Sequence, residues 1–324
     1  MKLRVLSADD VTRLLPMRDC IEVMEQALAA FARGEVVQPV RVVTRTADAS
    51  GMLALMPAHV GGIGLGFKAV TVFHDNESRG LPSHLAMIAL HDPQTGAPIA
   101  LMDGTRITEI RTAAVSAVAT RHLSRTDASV LAIIGTGVQA RAHARAIACV
   151  RDLSEIRIAG RRAEAARALA AELADELPAQ AFPDVTSALN GADIVVTATA
   201  SPTPVFEASD IAAGTHINAV GAFTPTTREL PSATVASARL FVDDRTAALS
   251  EAGDILLAIA DGAIDESHVA GTLGEVVIGQ VEGRPDASQI TVFESLGLGL
   301  EDVAAAAHVY ERALSEGIGS EVEI

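Results

Sequence analysis

Gly135, Gly137 and Ala140 have the spacing of a turn that receives phosphate. They stand where a short β-branched run, Val130-Leu-Ala-Ile-Ile134, gives way to the helix-forming segment Arg141-Ala-His-Ala-Arg-Ala-Ile-Ala148. Gly135 permits a tight turn out of a strand. Gly137, lacking a Cβ, lets a pyrophosphate approach the backbone, and Ala140 is small enough for close helix–strand packing. The helix start beyond them offers unpaired N–H groups and the positive end of its dipole. Strand and helix are where a GxGxxA spacing needs them, which predicts dinucleotide binding; an ordinary glycine-rich strand–helix turn is the alternative.

The end of the second strand bears on which dinucleotide. NAD-type sites place Asp or Glu there, on the ribose 2′-hydroxyl. Here the segment reads Ile156-Arg-Ile-Ala-Gly160-Arg161-Arg162, without a carboxylate. Two guanidinium groups suit a 2′-phosphate, which favours NADP(H). NAD(H) stays open, because Arg161 and Arg162 also fit as solvated residues opening the next helix.

The elements that must hold these groups follow from periodicity. Ser7 is expected to cap a short helix from Ala8 that Pro16 breaks, and Asp19 to open a second one with Ile21, Met24, Ala27, Leu28 and Phe31 as its apolar stripe, ended by Gly34. From Val36 to Ile99 the sequence reads as β, with runs at 40–46, 52–56, 64–73 and 83–90 and a hairpin loop at 91–96 leading to a run at 98–102, and it predicts one mainly antiparallel sheet. A helix is expected from Thr108 to His122. Strands (130–134, 156–159, 192–199, 216–220, 240–243) then alternate with helices (163–176, 246–260), the pattern of a parallel, doubly wound sheet. A strand at 289–293 precedes a last helix at 300–315. That helix lies beyond the nucleotide-binding pattern and is expected to return to the first domain.

Composition narrows the function classes. The 324 residues are 49% hydrophobic, enough for two cored domains, and carry a net charge of −16. So acidic a surface repels nucleic acid and anionic membranes, and no basic cluster offsets it. Cys20 and Cys149 are too few and too far apart for a disulfide framework, which fits small buried thiols in a reducing cytosol. The N-terminal MKLRVLSADD turns acidic too soon for a signal peptide, no apolar run approaches a membrane span, and a cytoplasmic protein is expected. With no HExxH and no Cys/His cluster, no metal is expected.

Four blocks, in order, carry a resemblance over nearly the whole chain: Glu-Ile-Arg111-Thr-Ala-Ala-Val-Ser-Ala-Val-Ala119, then GTGVQA, then Ile217-Asn-Ala-Val-Gly-Ala222, then Thr291-Val-Phe-Glu-Ser-Leu-Gly297. The chain resembles the ornithine cyclodeaminase/mu-crystallin family. The resemblance implies a Rossmann domain (residues 119–299) beside a mainly antiparallel α+β substrate-binding and dimerisation domain (residues 1–118, with 300–324 returning to it). It also implies a homodimer and chemistry on the C–N bond of an amino or imino acid. The family's carboxylate-binding arginine matches Arg41 in Gln38-Pro-Val-Arg41, with Arg45 as the competing choice; its active-site lysine matches Lys68, and its second arginine Arg111. Lys68 lies in an apolar strand with no acidic neighbour in sequence. A lysine is rarely buried unpaired, and burial lowers its pKa towards the range useful for proton transfer. Arg111 is expected in the first turn of its helix, facing an anion together with local N–H groups. A snorkelling Lys68 and a surface Arg111 are the plainer alternatives.

The resemblance also implies cofactor contacts at Thr136, Val138 and Gln139 on the phosphate loop, Thr199 and Val220 at strand ends, and Ser83, His84 and Ser295. Asp254 falls in a recurrent family segment without an assignable chemistry. One departure matters. Cyclodeaminases carry an acid/base aspartate where Gly221-Ala-Phe223 stands here, and a phenyl ring moves no protons. Ketimine reductases of the family also lack that aspartate, so the chain resembles them more closely, with Phe223 as an apolar wall for an imine ring. The expected activity is NADPH-dependent reduction of a cyclic α-imino acid such as Δ1-pyrroline-2-carboxylate or Δ1-piperideine-2-carboxylate. Arg41 and Arg111 would bind the carboxylate, Lys68 would protonate the nitrogen, and hydride would come from nicotinamide C4. The rivals are an NAD(P)-dependent amino-acid dehydrogenase, a cyclodeaminase, and an NADPH-binding protein without turnover.

Overall fold

The structure is a computed structural model that describes residues 2–48 and 50–324. Contacts divide the chain into two units, one running up to Arg111 and resuming at Gly297–Ile324, the other Thr112–Leu296. The sequence reading drew these divisions a few residues later, at 118/119 and 299/300.

The first unit opens with β1 (Lys2–Leu6) and α1 (Ala8–Leu14). The Ser7 hydroxyl accepts from Asp10 N while the Asp10 carboxylate takes the Ser7 N–H, a reciprocal capping box. Pro16 both stops this helix and admits the next, because its fixed φ of −58° suits a helix entry. So α2 (Met17–Ala32) starts two residues before Asp19. Its stripe is buried through Ile21, Met24, Ala27 and Leu28, with Phe31 half-buried. The expected strand at 40–46 is β3 (Val42–Arg45), and a short unexpected strand, β2 (Val36–Val37), precedes it across Pro39, which cannot donate to a ladder. Then come β4 (Met52–Val60), β5 (Gly64–Val72), β6 (His84–His91) and β7 (Pro98–Asp103).

The division between the units falls inside α3 (Gly104–Leu123). The second unit alternates β8 (Val130–Ile134), α4 (Val138–Ile147), β9 (Glu155–Ala159), α5 (Ala163–Leu173), β10 (Ala179–Ala181), α6 (Val185–Leu189), β11 (Ile194–Thr197) and β12 (His216–Ala219). It continues through α7 (Ser232–Ser237), β13 (Arg239–Val242), α8 (Arg245–Glu251), α9 (Gly253–Ala260), β14 (Val269–Thr272), α10 (Leu273–Val277) and β15 (Thr291–Glu294). The single helix expected at 246–260 is two. Gly253 donates its N–H to Ala222 O, and a Cβ there would collide with Thr227 O, so the backbone leaves the helical path to pack on another backbone. The strand order is β10-β9-β8-β11-β12-β15-β13-β14, every pair parallel. The order reverses between β8 and β11, the switch point at whose carboxyl ends such sheets bind ligands.

The chain then returns to the first unit in α11 (Gly299–Glu316) and β16 (Ser320–Glu323). Its sheet runs β16-β1-β7-β6-β5-β4-β2, with β3 also on β4 and only β1–β7 parallel among the described pairs. α11 packs on α2 and on β4, β5 and β6. Alternation along β4 buries Ala54, Met56, Ala58 and Val60 and leaves Leu53 and Leu55 outward. Val42, Leu85 and Met87 are exposed as well, and cross-strand register joins Val42 with Leu55 on that open face.

Candidate functional site

In the first unit, three cations converge on the start of α11. Lys68, mid-strand in β5, lies 2.8 Å from Asp302 Oδ2 and donates to Thr108 Oγ1 at 3.4 Å. Arg111 donates through Nε to Asp302 Oδ1 at 3.0 Å and through Nη1 to Glu301 Oε2 at 2.6 Å. Arg41 Nη2 donates to Gly297 O at 3.1 Å. Gly297 has φ +76°, and any Cβ on it would collide with the Arg111 guanidinium. Lys68, Arg111, Glu301 and Asp302 are all buried. The two carboxylates occupy the first turn of α11, where the helix dipole favours negative charge.

Burial draws the Lys68 ammonium down to about 8; Asp302 opposes that shift, and the charges of Arg111 and Arg41 add to it. For Arg111, burial opposes the charge, but Asp302 and Glu301 outweigh it and hold the guanidinium above its ordinary value. Among these five groups, three are cations and two are carboxylates, a formal excess of one positive charge.

One expectation is corrected. Arg111 is not in a first turn: α3 begins at Gly104, because Asp103 Oδ1 caps it by accepting the Arg106 N–H at 2.6 Å. Arg111 therefore lies inside the helix, aimed at two carboxylates rather than standing with free N–H groups. Of the competing arginines, Arg41 joins the cluster, and Arg45 is exposed on β3. Ser83 and His84 stand at the entry to β6, joined Oγ to Nδ1 at 3.0 Å, with His84 exposed. Asp302 and Glu301 were missed by sequence reasoning; their one signal was an acidic pair inside an otherwise apolar helix start.

In the second unit, parallel strands bring the expected cofactor residues to one edge. Gly135 follows β8 with φ +136°, and a Cβ there would collide with Ala198 O beyond β11, so only glycine fits. Gly137 caps α4 in extended geometry with no side-chain cap, and a Cβ on it would enter open space. An uncapped helix start with open space above it fits a pyrophosphate. Ala140 is fully buried. His143 locks the first turn of α4, with Nδ1 on Gln139 O at 2.8 Å and Nε2 on Ser116 Oγ at 2.9 Å, and burial lowers it to about 4. Thr136 and Gln139 are half-buried and Val138 exposed. Arg161 and Arg162 are exposed at the start of α5.

Thr199 and Val220 follow β11 and β12, Phe223 lies half-buried three residues further on, and Ser295 follows β15 with a buried hydroxyl that has no partner among the described residues. Thr199 is held, through both N and Oγ1, by the buried carboxylate of Glu229, a residue the sequence did not single out. Asp254 now has a place: its Oδ1 accepts the N–H groups of Glu229 and Leu230, each at 2.8 Å.

A model of the ornithine cyclodeaminase/mu-crystallin family matches residues 1–317. A Delta(1)-pyrroline-2-carboxylate reductase of Bacillus cereus is 37% identical over 323 residues, 98% of this chain and 99% of its own. The structure of Thermococcus litoralis Delta(1)-pyrroline-2-carboxylate reductase in complex with NADH and L-proline matches with a TM-score of 0.96 at 37% identity, over 98% of this chain and 100% of that one. An archaeal alanine dehydrogenase dimer with bound NAD matches at 0.95 and 35%, over 100% of both chains. A probable ornithine cyclodeaminase from Bordetella pertussis Tohama I stands further off, at 0.88 and 30%, over 98% and 99%.

Proposed function

The chain belongs to the ornithine cyclodeaminase/mu-crystallin family, nearer its pyrroline-2-carboxylate reductases than its cyclodeaminases, and from that premise we propose a reductase of cyclic α-imino acids. It is an oxidoreductase of C=N or CH–NH bonds that uses a nicotinamide dinucleotide. The finer reading takes Δ1-pyrroline-2-carboxylate or Δ1-piperideine-2-carboxylate as substrate and NADPH as the preferred reductant.

The observation that carries it is Lys68, buried, drawn to about 8, and set between Asp302 and two arginines. The surplus positive charge, with Arg41 nearest the chain's turn at Gly297, receives the substrate carboxylate. Lys68 keeps the imine nitrogen protonated, and an iminium accepts hydride more readily than a neutral imine. When bound, the reduced nicotinamide supplies that hydride. Gly135, Gly137 and the start of α4 would hold the pyrophosphate; Thr199, Val220 and Ser295 would lie towards the nicotinamide, with Phe223 as an apolar wall. Cyclodeamination lacks its acid/base at Phe223.

Mixing the protein with each imino acid and NADPH or NADH, and following absorbance, tests the reading. Fast NADPH oxidation is expected; no oxidation of either cofactor would sink it, and turnover of L-alanine with NAD would favour the dehydrogenase reading that the archaeal relative supports. Cofactor choice is best tested with Arg161→Ala and Arg162→Ala. Gly160→Asp is less clean, because a Cβ there would sit 3.1 Å from Thr136 Cγ2 on the phosphate loop. A homodimer through the open face of the first sheet completes the proposal. Charged substitution of Leu55 should yield a monomer in sedimentation.

A further inference from the structure

Glu229 is fully buried, and among the described residues no cation pairs with its carboxylate. Its Oε1 accepts from Thr199 N and Thr199 Oγ1, both at 2.6 Å, and its Oε2 accepts from Gly221 N at 2.7 Å. Its carbonyl takes the Val205 N–H at 2.9 Å, and its own N–H is held by Asp254. One side chain thus ties the backbone leaving β11 to the backbone leaving β12. The two are so close that a Cβ on Gly221 would collide with Thr199 O and with the Glu229 carboxyl. Burying a carboxylate without a counter-ion is costly, and the cost is met here by donors that are the very groups being positioned. In a parallel nucleotide-binding sheet, the backbone just past the strand ends is the surface a ligand meets.

We propose that Glu229 is a positioning residue for the nicotinamide end of the cofactor: it presets Thr199, Val220 and Gly221, and Asp254 holds it in place from behind. The adenosine end is expected near Gly160 to Arg162 beyond β9, and among the described residues no hydrogen bond joins that segment to Glu229 or Asp254. The proposal rests on reading this unit as a dinucleotide site.

The experiment measures binding by fluorescence or calorimetry, independent of turnover, for NADPH and for a fragment lacking nicotinamide, 2′-phospho-ADP-ribose. Glu229→Gln keeps an acceptor for Thr199 but turns an amide donor towards the Gly221 N–H. It should weaken NADPH about ten-fold and the fragment less than about two-fold. Asp254→Ala frees the Glu229 and Leu230 N–H groups and should give a smaller loss with the same selectivity. Asp254→Asn, which keeps the accepting oxygen, should restore wild-type binding. Equal loss of NADPH and fragment, or no loss of either, overturns the proposal, and if Glu229→Gln does not fold, the Asp254 pair decides it by the same criterion. Wild-type protein that binds neither ligand, nor NADH and ADP-ribose in their place, would overturn the dinucleotide reading and this proposal together, whereas wild-type binding with an unselective Glu229→Gln removes this proposal alone.

Discussion

The two units bury carboxylates by opposite means. In the first, Glu301 and Asp302 are met by Arg111 and Lys68 at 3.0 Å or closer. In the second, Glu229 and Asp254 lean on backbone N–H and hydroxyl donors, and both carboxyl oxygens of Glu294 lack a partner among the described residues. Burial, together with the neighbouring Glu229 charge, pushes Asp254 up to about 7. Burial and then the charges of Asp254, Glu229 and Asp243 raise Glu294 well above its ordinary value, which favours its protonated form. A cation beside each carboxylate offsets the cost of burying it. Those without a cation are shifted towards their protonated form, so their charge depends on pH.

The sharpest way to break the contrast is Asp302→Ala. It strands Lys68 and Arg111 in a buried site, and removing one partner of a buried ion pair costs about 3–5 kcal/mol. Urea unfolding should show that loss; a change under about 1 kcal/mol would mean the cations find water and the site is not closed. Next in size is Lys68→Ala, expected to cut turnover about 100-fold or more with NADPH binding nearly unchanged. Equal loss of both would make Lys68 structural. The pH profile sharpens this: in the proposed role protonated Lys68 is the useful form, so the wild-type rate should fall as pH rises through about 8. A rate flat to pH 10 contradicts it.

The smallest effect belongs to the second unit. A carboxyl whose folded value is raised stabilises the fold below its unfolded value, and that contribution is lost as pH rises through the folded one. Stability should therefore decline from pH 5 upward, through about 7 for Asp254, with the raised Glu294 adding to the decline. Glu294→Gln mimics the protonated acid, so at pH 5 it should change stability by less than about 0.5 kcal/mol while flattening the decline as pH rises. Thermal melts across that range read both.

Much of the second unit was legible because its central strands are short β-branched runs between turn residues, and the glycine spacing at 135–140 names its own geometry. Lys68 was legible as a misfit, a charge in an apolar strand. Its partner was not: Asp302 lies 191 residues beyond Arg111, and periodicity carries no information about such pairings. The register of Arg111 was misread because Gly104 and Thr105 are poor helix formers and only the Asp103 cap starts α3 there. The edge strands β10 and β16 were missed for a related reason. Ala-Gln-Ala and Ser-Glu-Val-Glu lack an apolar alternation, and only a neighbouring strand makes them extended.

Gly297 has a consequence for mutational scanning. Every other amino acid begins with the same atom, and that atom already meets the Arg111 guanidinium, at a φ that L side chains seldom adopt. Saturation at 297 should return a uniform column of losses, ordered by neither size nor polarity. Such a column would mark the place where an atom must be missing, and it would say nothing of a side chain at work.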